Sequence, residues 1–534
     1  MRADLSRPSA YPLPHPDRIE TCETHVSYIF MTEREVYKVK KPVSLGFLDF
    51  STVLARKCAC EAEVVLNARL AAPVYLGVVP VRVGPDGRAR FHSNGGANDD
   101  EIIDWAVHML RLPDEIRADH RLVRGTLTPF HLDRLAKHLA DFHARCTSSD
   151  VIASYGSPTD IARNVRDNFD AVRGTVGSAI SIEHAREIEH WQLGFLDTKK
   201  DLFADRSLRG MVRDGHGDLR LDHVYFDDDA ANDDDRAKGG ITVLDCIEFS
   251  TRLRSGDVCA DIAFFSMDLS AHGRPDLGAR FVARYAREAD DYDLYALVDF
   301  YEGYRATVRA KISLLLAEQR TNNEARTQAY AKARAHFALA LASAHRSMLP
   351  TAVVAVGGVI ASGKSTIAEA LAERMSAPVV DTDRARKAIL GVNATKPMHA
   401  APFEGPYDYD VTIKTYAEAM RRAAVVLSAG RSVIIDATFR GRSERQQARA
   451  LAERAGAAFV FVECRAPREV CLARLEKRER EGSVSDGRRA IWDDFALAVE
   501  PIAPGEFSDG QHVTLDTTKS ITENMHALVN HVGM

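Results

Sequence analysis

One short glycine-rich stretch constrains this chain more than any other feature of its sequence. The eight residues from Gly358 to Ser365 read GVIASGKS, which fits the pattern GxxxxGK[ST]. They lie between an apolar run at 352–358 and a helical pattern that begins at Ser365. In a strand, turn and helix of this kind, backbone N–H groups and the helix N-terminus point towards phosphate oxygens. We therefore predict a nucleotide site at this turn.

Each polar position of the turn has a predicted task. Lys364 neutralises the β and γ phosphates of ATP and thereby supports catalysis, and the Ser365 hydroxyl coordinates Mg²⁺. The predicted nucleotide-binding residues are Gly358, Ser362, Gly363, Lys364, Ser365 and Thr366. The alternative is a glycine-rich turn in which the lysine occurs by chance. The flanking strand and helix patterns favour the phosphate-binding loop.

Apolar runs alternate with helical patterns in the C-terminal third of the chain. The runs are 352–358, 377–383, 431–439, 457–464 and 512–518. This alternation predicts a parallel sheet covered by helices on both faces. The stretch MLPT at 348–351 interrupts the preceding helical sequence at Pro350. We therefore predict an N-terminal domain over 1–347 and a C-terminal domain over 348–534.

The composition of the 534 residues predicts a soluble, cytoplasmic protein with several domains. Apolar residues make up 46% of the chain, enough to bury a core in each domain, which excludes intrinsic disorder. The sequence has no apolar run long enough for a membrane span and no secretory signal at its N-terminus. The eight cysteines include no CxxC pair, so we expect reduced thiols. The net charge of −6 gives no electrostatic reason to expect nucleic-acid binding.

Carboxylates stand at the ends of two predicted C-terminal strands. Asp436 ends the run SVIID, where its carboxylate can reach a metal ion bound by Ser365 or the water shell of that ion. Asp383 ends the run at 377–383 and Arg386 follows it, in the crevice at the carboxyl end of the sheet. Asp383 is a candidate base for an attacking hydroxyl, and Arg386 is a candidate partner for an anionic group of the acceptor. The alternatives are aspartates that only cap helices and an arginine on the surface.

Two arginines form a candidate lid. Arg474 and Arg478 lie four residues apart in the helical pattern REVCLARLEKRERE at 468–481. Residues at this spacing share one face of a helix, from which both side chains can swing over a transferring phosphoryl group. We therefore name both as candidate catalytic residues. The alternative is a charged helix face exposed to water.

The C-terminal motifs occur together in a known group of enzymes. The pieces GGVIASGKST, DTDRARKAI and AGRSVIIDATF, with the helix at 468–481, resemble the small P-loop kinases related to polynucleotide kinase, chloramphenicol phosphotransferase and the zeta-type toxins. The resemblance spans about 352–518. It implies phosphoryl transfer from ATP or GTP to a hydroxyl group. It does not identify the acceptor, because acceptors vary widely within the group.

A second motif lies in the N-terminal domain. The stretch HGDLRLDHV begins at His216 and runs into a short predicted strand at 223–226, and a second predicted strand at 241–249 carries Asp245. Two carboxylates on adjacent short strands can divide the work of a phosphotransferase, one orienting the acceptor hydroxyl and one holding Mg²⁺. Asp218 and Asp245 fit this division. We expect His216 itself to be a buried histidine that bonds its neighbours.

These residues resemble the catalytic loop and metal-binding strand of aminoglycoside phosphotransferases and their protein-kinase-like relatives, whose motif reads HxDxxxxN before a strand-borne Asp. The resemblance implies a two-lobed protein-kinase-like fold with Asp218 as base and Asp245 as metal ligand. It also implies that Lys38, in the strand EVYKVKK, binds the α and β phosphates. Its implied ion-pair partner is Glu63, or Glu61, in the following helix.

The match to this family leaves some points open. The pattern alone does not distinguish Lys38 from Lys40 and Lys41. Asp261 matches a family aspartate that braces the catalytic loop. His223 occupies the position of the family's second metal-binding Asn, which makes it a candidate metal ligand, although imidazole is a poor ligand for a hard cation. A site with one metal ion, with a different metal, or with weaker catalysis follows from this difference.

The two halves together look like bacterial two-part proteins that join an aminoglycoside-phosphotransferase-like domain to a P-loop kinase domain. The leading hypothesis is a bifunctional kinase that uses ATP and Mg²⁺ at both sites and phosphorylates a hydroxyl group of a small molecule. One alternative, motivated by His223, is a P-loop kinase regulated by a catalytically inactive N-terminal binding module. Another is a polynucleotide end kinase, which the acidic composition disfavours. The sequence identifies neither acceptor nor oligomeric state.

Overall fold

The computed structural model describes residues 1–24, 26–45, 48–84, 86–91, 101–228, 240–320, 322–345, 350–394, 396, 398, 403–481 and 488–532. The predicted boundary between residues 347 and 348 lies outside these ranges. So does most of the acidic loop at 227–235. In the part of the chain that is described, none of the helices combines the length and the apolar content that a membrane crossing needs.

The strands are short in most of the chain and longest where they build the two main sheets. Up to residue 257 they are β1 Glu20–Glu23, β2 Ser27–Met31, β3 Glu35–Lys40, β4 Ser44–Leu45, β5 Leu48–Asp49, β6 Tyr75–Val83, β7 Ala89–Arg90, β8 Glu101–Leu110, β9 Val212–Asp214, β10 Val224–Phe226, β11 Ile241–Val243 and β12 Ser255–Asp257. The later strands are β13 Ala352–Gly357, β14 Val379–Asp381, β15 Val433–Asp436, β16 Ala458–Arg465 and β17 His512–Asp516.

Helices occupy most of the remaining described chain. Up to residue 271 they are α1 Arg2–Leu5, α2 Val53–Ala71, α3 Ala118–Val123, α4 Pro129–Arg145, α5 Asp150–Ser154, α6 Pro158–Asp170, α7 Ile182–Thr198, α8 Lys200–Leu208, α9 Thr251–Arg254 and α10 Val258–Ala271. The later helices are α11 Pro275–Glu288, α12 Tyr295–Gln319, α13 Asn323–Ala344, α14 Lys364–Met375, α15 Thr382–Ile389, α16 Tyr409–Ser428, α17 Arg442–Ala455, α18 Arg468–Glu481, α19 Trp492–Leu497 and α20 Ile521–Val532.

The chain divides into two compact units. Met1–Ala171 and Gln192–Asp268 form the first unit, and Val172–Trp191 and Leu269–Met534 form the second. Helices α11 to α13 therefore group with the C-terminal sheet, although the sequence assigned them to the N-terminal domain. The predicted boundary at 347/348 stays a prediction.

The main sheet of the first unit is antiparallel, with the strand order β1-β2-β3-β8-β6-β7. Successive residues of a strand point to opposite faces of a sheet. In β3, Tyr37 and Val39 belong to one apolar core, whereas Lys38 lies opposite Val107 of β8, on the face that packs against α2. The same alternation turns Lys40 towards α2. The fold thus presents two lysines of one strand to a single helix.

The loop predicted to carry the N-terminal chemistry lies between two small antiparallel pairs, β9 with β12 and β10 with β11. Two predicted strand limits are corrected here. The strand predicted at 223–226 begins at Val224, because residues 221–223 form a turn of 3₁₀ helix. The strand predicted at 241–249 ends at Val243, because Asp245 has a φ of 62°, which extended backbone does not allow.

Other predicted elements also differ from the observed ones. The helix predicted at 182–204 is divided into α7 and α8, which meet at Lys199. The long strands β6 and β8 were not predicted, so the first sheet is larger than the hairpin that the sequence indicated. The helical sequence predicted from 257 to 346 is confirmed over its described part by α10 to α13.

The sheet of the second unit is parallel, with the strand order β14-β15-β13-β16-β17. Every residue of β13 is buried, as expected for a strand covered on both faces. Helices α14 and α20 pack on one face, and α16 and α17 pack on the other. The strand order reverses direction at β13, so its carboxyl end is the crevice where such sheets bind ligands. The predicted mixed fold, with a parallel sheet covered on both faces, is confirmed.

Candidate active sites

The glycine-rich turn joins β13 to α14 and has the backbone that only glycine adopts without strain. Gly358 has a φ of 139°, and a Cβ there would lie 2.4 Å from the carbonyl oxygen of Cys464. Gly363 has a φ of 92° and forms the N-cap of α14, which begins at Lys364. The N-terminus of α14 therefore opens at the carboxyl end of the sheet, where it can accept a phosphate.

A cavity of about 300 Å³ lies beside this turn. The predicted site residues that line it are Gly363, Lys364, Ser365, Asp383, Arg386, Asp436 and Arg478. Of the remaining predicted residues, Gly358 directly follows β13, Thr366 is exposed on α14 and Ser362 is buried. The Ser362 hydroxyl has no hydrogen-bond partner among the residues that the structure describes. The cavity thus brings together the phosphate loop and both predicted acidic positions.

Lys364 folds back on the turn. Its Nζ donates a hydrogen bond to the carbonyl oxygen of Val359 at 2.9 Å. The side chain lines the cavity and is only partly buried, so it can exchange this carbonyl for phosphate oxygens. A lysine of a phosphate-binding loop stabilises a triphosphate by placing its positive charge beside the phosphate oxygens. Lys364 must therefore leave the Val359 carbonyl oxygen when a nucleotide binds.

Ser365 and Asp436 lie next to each other and fit a magnesium ion. The Ser365 side chain hydrogen-bonds the Asp436 carboxylate, and both groups offer the oxygen ligands that Mg²⁺ prefers. Burial, together with the nearby charge of Asp381, raises the pKa of Asp436 to about 6. A divalent cation offsets both causes, so these residues suit a metal that arrives with its nucleotide.

Asp381 is a site residue that the sequence analysis missed. It ends β14 opposite Asp436, and it lines the cavity. Its Oδ1 accepts the backbone N–H groups of Asp383, at 2.7 Å, and of Arg384, at 3.1 Å, and thereby caps α15. Burial and the charge of Asp383 raise the pKa of Asp381. The signal was present, since an aspartate ending an apolar run is the same feature that identified Asp436.

Asp383 and Arg386 occur as a pair. They lie in the first two turns of α15, and Arg386 Nη1 donates to Asp383 Oδ1 at 2.9 Å. The Arg386 guanidinium also lies 5.0 Å from the ring centre of Tyr407, which lines the cavity too. The carboxylate of the predicted base is therefore oriented by a neighbouring arginine. Its role as a base stays a prediction.

The two lid arginines take different positions. Arg478 lines the cavity. Arg474 instead donates to the carbonyl oxygen of Ala361 at 3.2 Å and to that of Thr517 at 2.6 Å. Arg474 thus holds the phosphate loop against the end of β17. Catalytic roles for both arginines stay predictions.

In the first unit, Lys38 stands at the centre of a cluster of charges. Its Nζ donates to Glu63 of α2 at 2.9 Å and to Asp245 at 2.6 Å. Lys40, on the same face of β3, binds Glu63 and the buried Glu248. A strand lysine paired with a helix glutamate is the arrangement by which protein kinases hold the α and β phosphates. Lys38 fits this role because it alone of the two lysines also reaches Asp245.

The charges of this cluster stabilise one another. Loss of water raises the pKa of Asp245, but the Lys38 ammonium outweighs this effect and holds it well below its usual range. Burial disfavours the charge of Glu63 as well, yet Lys38 and Lys40 keep its pKa lowered. Glu248 differs, because burial dominates and raises its pKa. The cluster therefore keeps the Asp245 carboxylate ionised.

Asp261 braces the loop that begins at His216, as the family resemblance implied. Asp261 accepts the backbone N–H groups of His216 at 2.8 Å and of Gly217 at 2.9 Å. The buried His216 bonds the Leu244 carbonyl oxygen at 2.9 Å, and burial lowers its pKa to about 4. His216 is thus a neutral, structural histidine that ties the loop to the segment carrying Asp245.

Arg220, which the sequence analysis did not single out, connects Asp218 with His223. Its Nε donates to Asp218 Oδ2 at 3.2 Å, and its Nη2 donates to His223 Nε2 at 2.7 Å. His223 Nδ1 in turn donates to the Asp218 carbonyl oxygen at 2.8 Å. Both ring nitrogens of His223 thus have protein partners in this structure. Its role as a metal ligand stays a prediction, as does that of Asp245.

Known proteins are similar to both parts of the chain. The family model described as an AAA domain matches residues 353–502. Solved structures similar to parts of the chain include the GDP complex of aminoglycoside 2′-phosphotransferase-IIIa, at 15% identity and a TM-score of 0.35, covering 61% of this chain and 94% of that chain. They also include the Mycobacterium tuberculosis APS kinase CysC, at 21% identity and a TM-score of 0.25, covering 35% of this chain and 98% of that chain.

The sequence is similar over nearly its whole length to mycobacterial proteins. It is 32% identical over 512 residues to the uncharacterized protein Rv2004c of Mycobacterium tuberculosis, covering 94% of this chain and 96% of that protein. An uncharacterized protein of Mycobacterium bovis aligns with the same identity and coverage. The chain therefore belongs to the family of Rv2004c.

Proposed function

We propose that the second unit is an ATP- and Mg²⁺-dependent kinase that phosphorylates a hydroxyl group of a small molecule. One observation carries this proposal. A single cavity is lined by Lys364 of the phosphate loop, by the Ser365–Asp436 pair and by Asp383 of α15. This arrangement supports separate places for nucleotide, metal and acceptor around one space, as phosphoryl transfer requires.

In this proposal each side chain has a separate task. Lys364 leaves the Val359 carbonyl and holds the β and γ phosphates. Ser365 and Asp436 offer ligands to Mg²⁺, whose charge neutralises the same phosphates. Asp383 accepts the proton of the acceptor hydroxyl as its oxygen bonds to the γ phosphorus, and the bond to the β-phosphate oxygen breaks to release ADP. Arg478 approaches the transferring group from α18.

We propose a second, similar site in the first unit. Lys38, held by Glu63, binds the α and β phosphates, Asp245 offers a ligand to Mg²⁺, and Asp218 orients an acceptor hydroxyl. The cluster of Lys38, Glu63 and Asp245 supports this assignment, because protein kinases use a strand lysine paired with a helix glutamate at their nucleotide site. The whole chain is then a bifunctional phosphotransferase. Its free cysteines support the cytoplasm as its location.

One observation favours a second candidate for the first unit, a binding module without catalysis. Arg220 pairs with the Asp218 carboxylate, the proposed base, and also holds His223, which replaces the expected Asn. With His223 held by Arg220 in place of the expected Asn, the loop lacks the family's second oxygen ligand for a metal ion, so the unit would sense a ligand rather than transfer phosphate.

A transfer assay on the full-length chain tests the proposed function. The protein is incubated with Mg·ATP and a cell metabolite extract, and new phosphorylated species are identified by mass spectrometry. We expect products that Lys364→Ala abolishes and, for the first unit, products that Asp218→Asn abolishes. Products that persist in both variants would contradict the proposal. A parallel reaction with a 5′-hydroxyl oligonucleotide tests the polynucleotide-kinase alternative.

Products lost in Lys364→Ala but unchanged in Asp218→Asn would identify the first unit as the binding module. Calorimetry of the Lys364→Ala chain with Mg·ATP then measures whether that unit still binds a nucleotide. The Arg280→Ala chain is the control in both assays, because Arg280 lies on α11 and does not belong to the set that lines the cavity.

A further inference from the structure

One wall of the P-loop cavity is supplied from outside the P-loop domain. Arg287 lines the cavity together with Lys364 and Asp381, although it belongs to α11, well before the span 353–502 that the family model matches. Its side chain is 15% exposed. A basic residue buried to this extent beside a phosphate loop needs carboxylate partners.

Arg287 has two such partners, and both belong to the P-loop domain. It forms an ion pair with Glu369, which lies one turn after Ser365 on α14. Its Nη2 also lies 3.6 Å from Oδ2 of Asp381, and its Nε has no hydrogen-bond partner among the described residues. The guanidinium therefore bridges α14 and the end of β14.

The second oxygen of Asp381 connects this bridge to α15. Asp381 Oδ1 accepts the first N–H groups of α15, while Oδ2 faces Arg287. Arg384 of α15 donates back to the Arg287 carbonyl oxygen at 2.9 Å, at the C-terminal end of α11. Two contacts thus join the end of α11 to the beginning of α15. In one, a side chain of α11 reaches the residue that caps α15, and in the other, a side chain of α15 reaches the backbone of α11.

The negative charges around the cavity explain why Arg287 lies beside Asp381. Asp381, Asp383 and Asp436 place three carboxylates around one cavity, and their like charges repel one another. The Arg287 guanidinium brings a positive charge to Oδ2 of Asp381 and offsets this repulsion. Without the guanidinium, the Asp381 carboxylate loses the partner of its Oδ2 and holds the α15 cap, which its Oδ1 makes, less firmly.

We propose that Arg287 is a positioning residue of the P-loop kinase site: through Asp381 it fixes α15 and thereby the orientation of Asp383 and Arg386. The helices before the P-loop domain are then part of its active site and not only a neighbouring domain. The catalytic consequence rests on the proposed function of the second unit. The structural part, that Arg287 holds the α15 cap, stands without it.

Hydrogen exchange tests the structural part in the full-length chain. We expect Arg287→Ala to speed the exchange of the amides of 382–389 by about 2- to 30-fold, the factor that corresponds to loss of a helix cap. Arg280→Ala is the matched control. Arg280 lies on the same helix and faces Glu373 of α14 at 3.9 Å, so its removal loosens the same pair of helices away from the cavity. Equal exchange of 382–389 in the two variants would overturn the proposal.

ATP hydrolysis that Lys364→Ala abolishes tests the catalytic part, with water as the acceptor. We expect Arg287→Ala to lower kcat by about tenfold or more while KM for Mg·ATP changes less than about twofold, because the phosphate loop is intact. Arg287→Lys should have a kcat between those of Arg287→Ala and the wild type, and Arg280→Ala should have the wild-type kcat. A rise in KM with unchanged kcat would show that Arg287 binds nucleotide, which contradicts a positioning role.

The two hypotheses fail in different ways. If the wild-type chain shows no hydrolysis that depends on Lys364, the proposed function fails, and the exchange experiment still decides whether Arg287 holds α15. If hydrolysis is present and Arg287→Ala changes neither kcat nor the exchange of 382–389, the positioning role fails and the kinase assignment survives.

Discussion

Glu63 shows how much of this protein is decided by single side chains. It accepts hydrogen bonds from both Lys38 and Lys40, whereas Glu61 is half exposed and pairs with Lys57 at 3.5 Å. Two positions in a helix separate a central member of a candidate site from a residue on the surface. Gly358 and His216 are two further single residues on which the stability of the protein should depend.

Gly358→Ala should damage the phosphate loop. Its Cβ would lie 2.4 Å from a backbone oxygen of β16, at a φ of 139°. We expect a loss of roughly 2–5 kcal/mol in the free energy of unfolding, from backbone strain and overpacking together. Urea unfolding followed by tryptophan fluorescence measures it, because Trp492 donates to the Ile360 carbonyl oxygen in the loop at 3.0 Å.

Gly456→Ala is the control for the glycine prediction. Gly456 also has a positive φ, 63°, but a Cβ there meets no atom within 4 Å. This variant should lose only about 1–2 kcal/mol. Equal losses in the two variants would show that the close approach of β16 is not what requires glycine at 358.

Because His216 is buried in its neutral form, we expect the protein to lose stability in mild acid. Its pKa is about 4 in the folded chain, against an ordinary value of 6.5, because burial disfavours the charged ring. Between these values the unfolded state binds more protons, so stability falls as the pH falls from 6.5 to 4. The full effect is about 3 kcal/mol.

The variant His216→Gln measures this effect, because glutamine keeps an N–H donor for the Leu244 carbonyl and does not titrate. At pH 8 we expect the wild-type chain to unfold at the higher temperature. The difference between the two chains should shrink as the pH is lowered towards 4. A difference that does not depend on pH would mean that the histidine is not buried in its neutral form.

At the scale of elements, strand β3 supports two functions from one face. Lys38 and Lys40 share one face of the strand, yet Lys40 is fully buried while Lys38 is 13% exposed and reaches Asp245. One side chain serves the core and the other faces the candidate nucleotide site. The two lysines should therefore respond differently to the same substitution.

Lys40→Met leaves the buried Glu63 and Glu248 without this partner. We expect it to cost about 3–5 kcal/mol in the free energy of unfolding. Lys38→Met should cost less and instead abolish nucleotide binding by the first unit. Urea unfolding and calorimetry with Mg·ATP, on the Lys364→Ala background, measure the two effects. A larger stability loss for Lys38→Met would contradict these assignments.

At the scale of the whole molecule, each compact unit contains its own candidate site. Lys38, Asp218 and Asp245 all belong to the first unit, and Lys364, Asp383 and Asp436 all belong to the second. The full-length chain should therefore bind one nucleotide at each of two separate sites.

Calorimetry with the non-hydrolysable analogue Mg·AMP-PNP measures this number. We expect about two molecules bound per chain in the wild type, about one in Lys364→Ala, about one in Lys38→Met and none in the double variant, since each lysine binds phosphates only within its own unit. Arg280→Ala should bind like the wild type. Loss of all binding in either single variant would show that the two sites do not bind independently.

The sequence by itself determined the features that lie within one continuous stretch. The phosphate loop at 358–365, the loop that begins at His216 and the alternation of strands and helices after 352 depend on local backbone and residue type, so their patterns were sufficient. The mixed fold class followed from them. The strands β6 and β8 also carry runs of β-branched and aromatic residues typical of strands, so their local signal was present although the sequence analysis missed them.

Only the tertiary structure decided which distant side chains meet. Arg287 reaches Asp381 from another helix, Arg220 connects Asp218 with His223, and Glu63 rather than Glu61 receives the lysines. Such contacts depend on how strands and helices pack, and packing joins residues that no spacing in the sequence relates. The motifs could therefore be identified from the local sequence, whereas the side chains that contact them could be identified only from the tertiary structure.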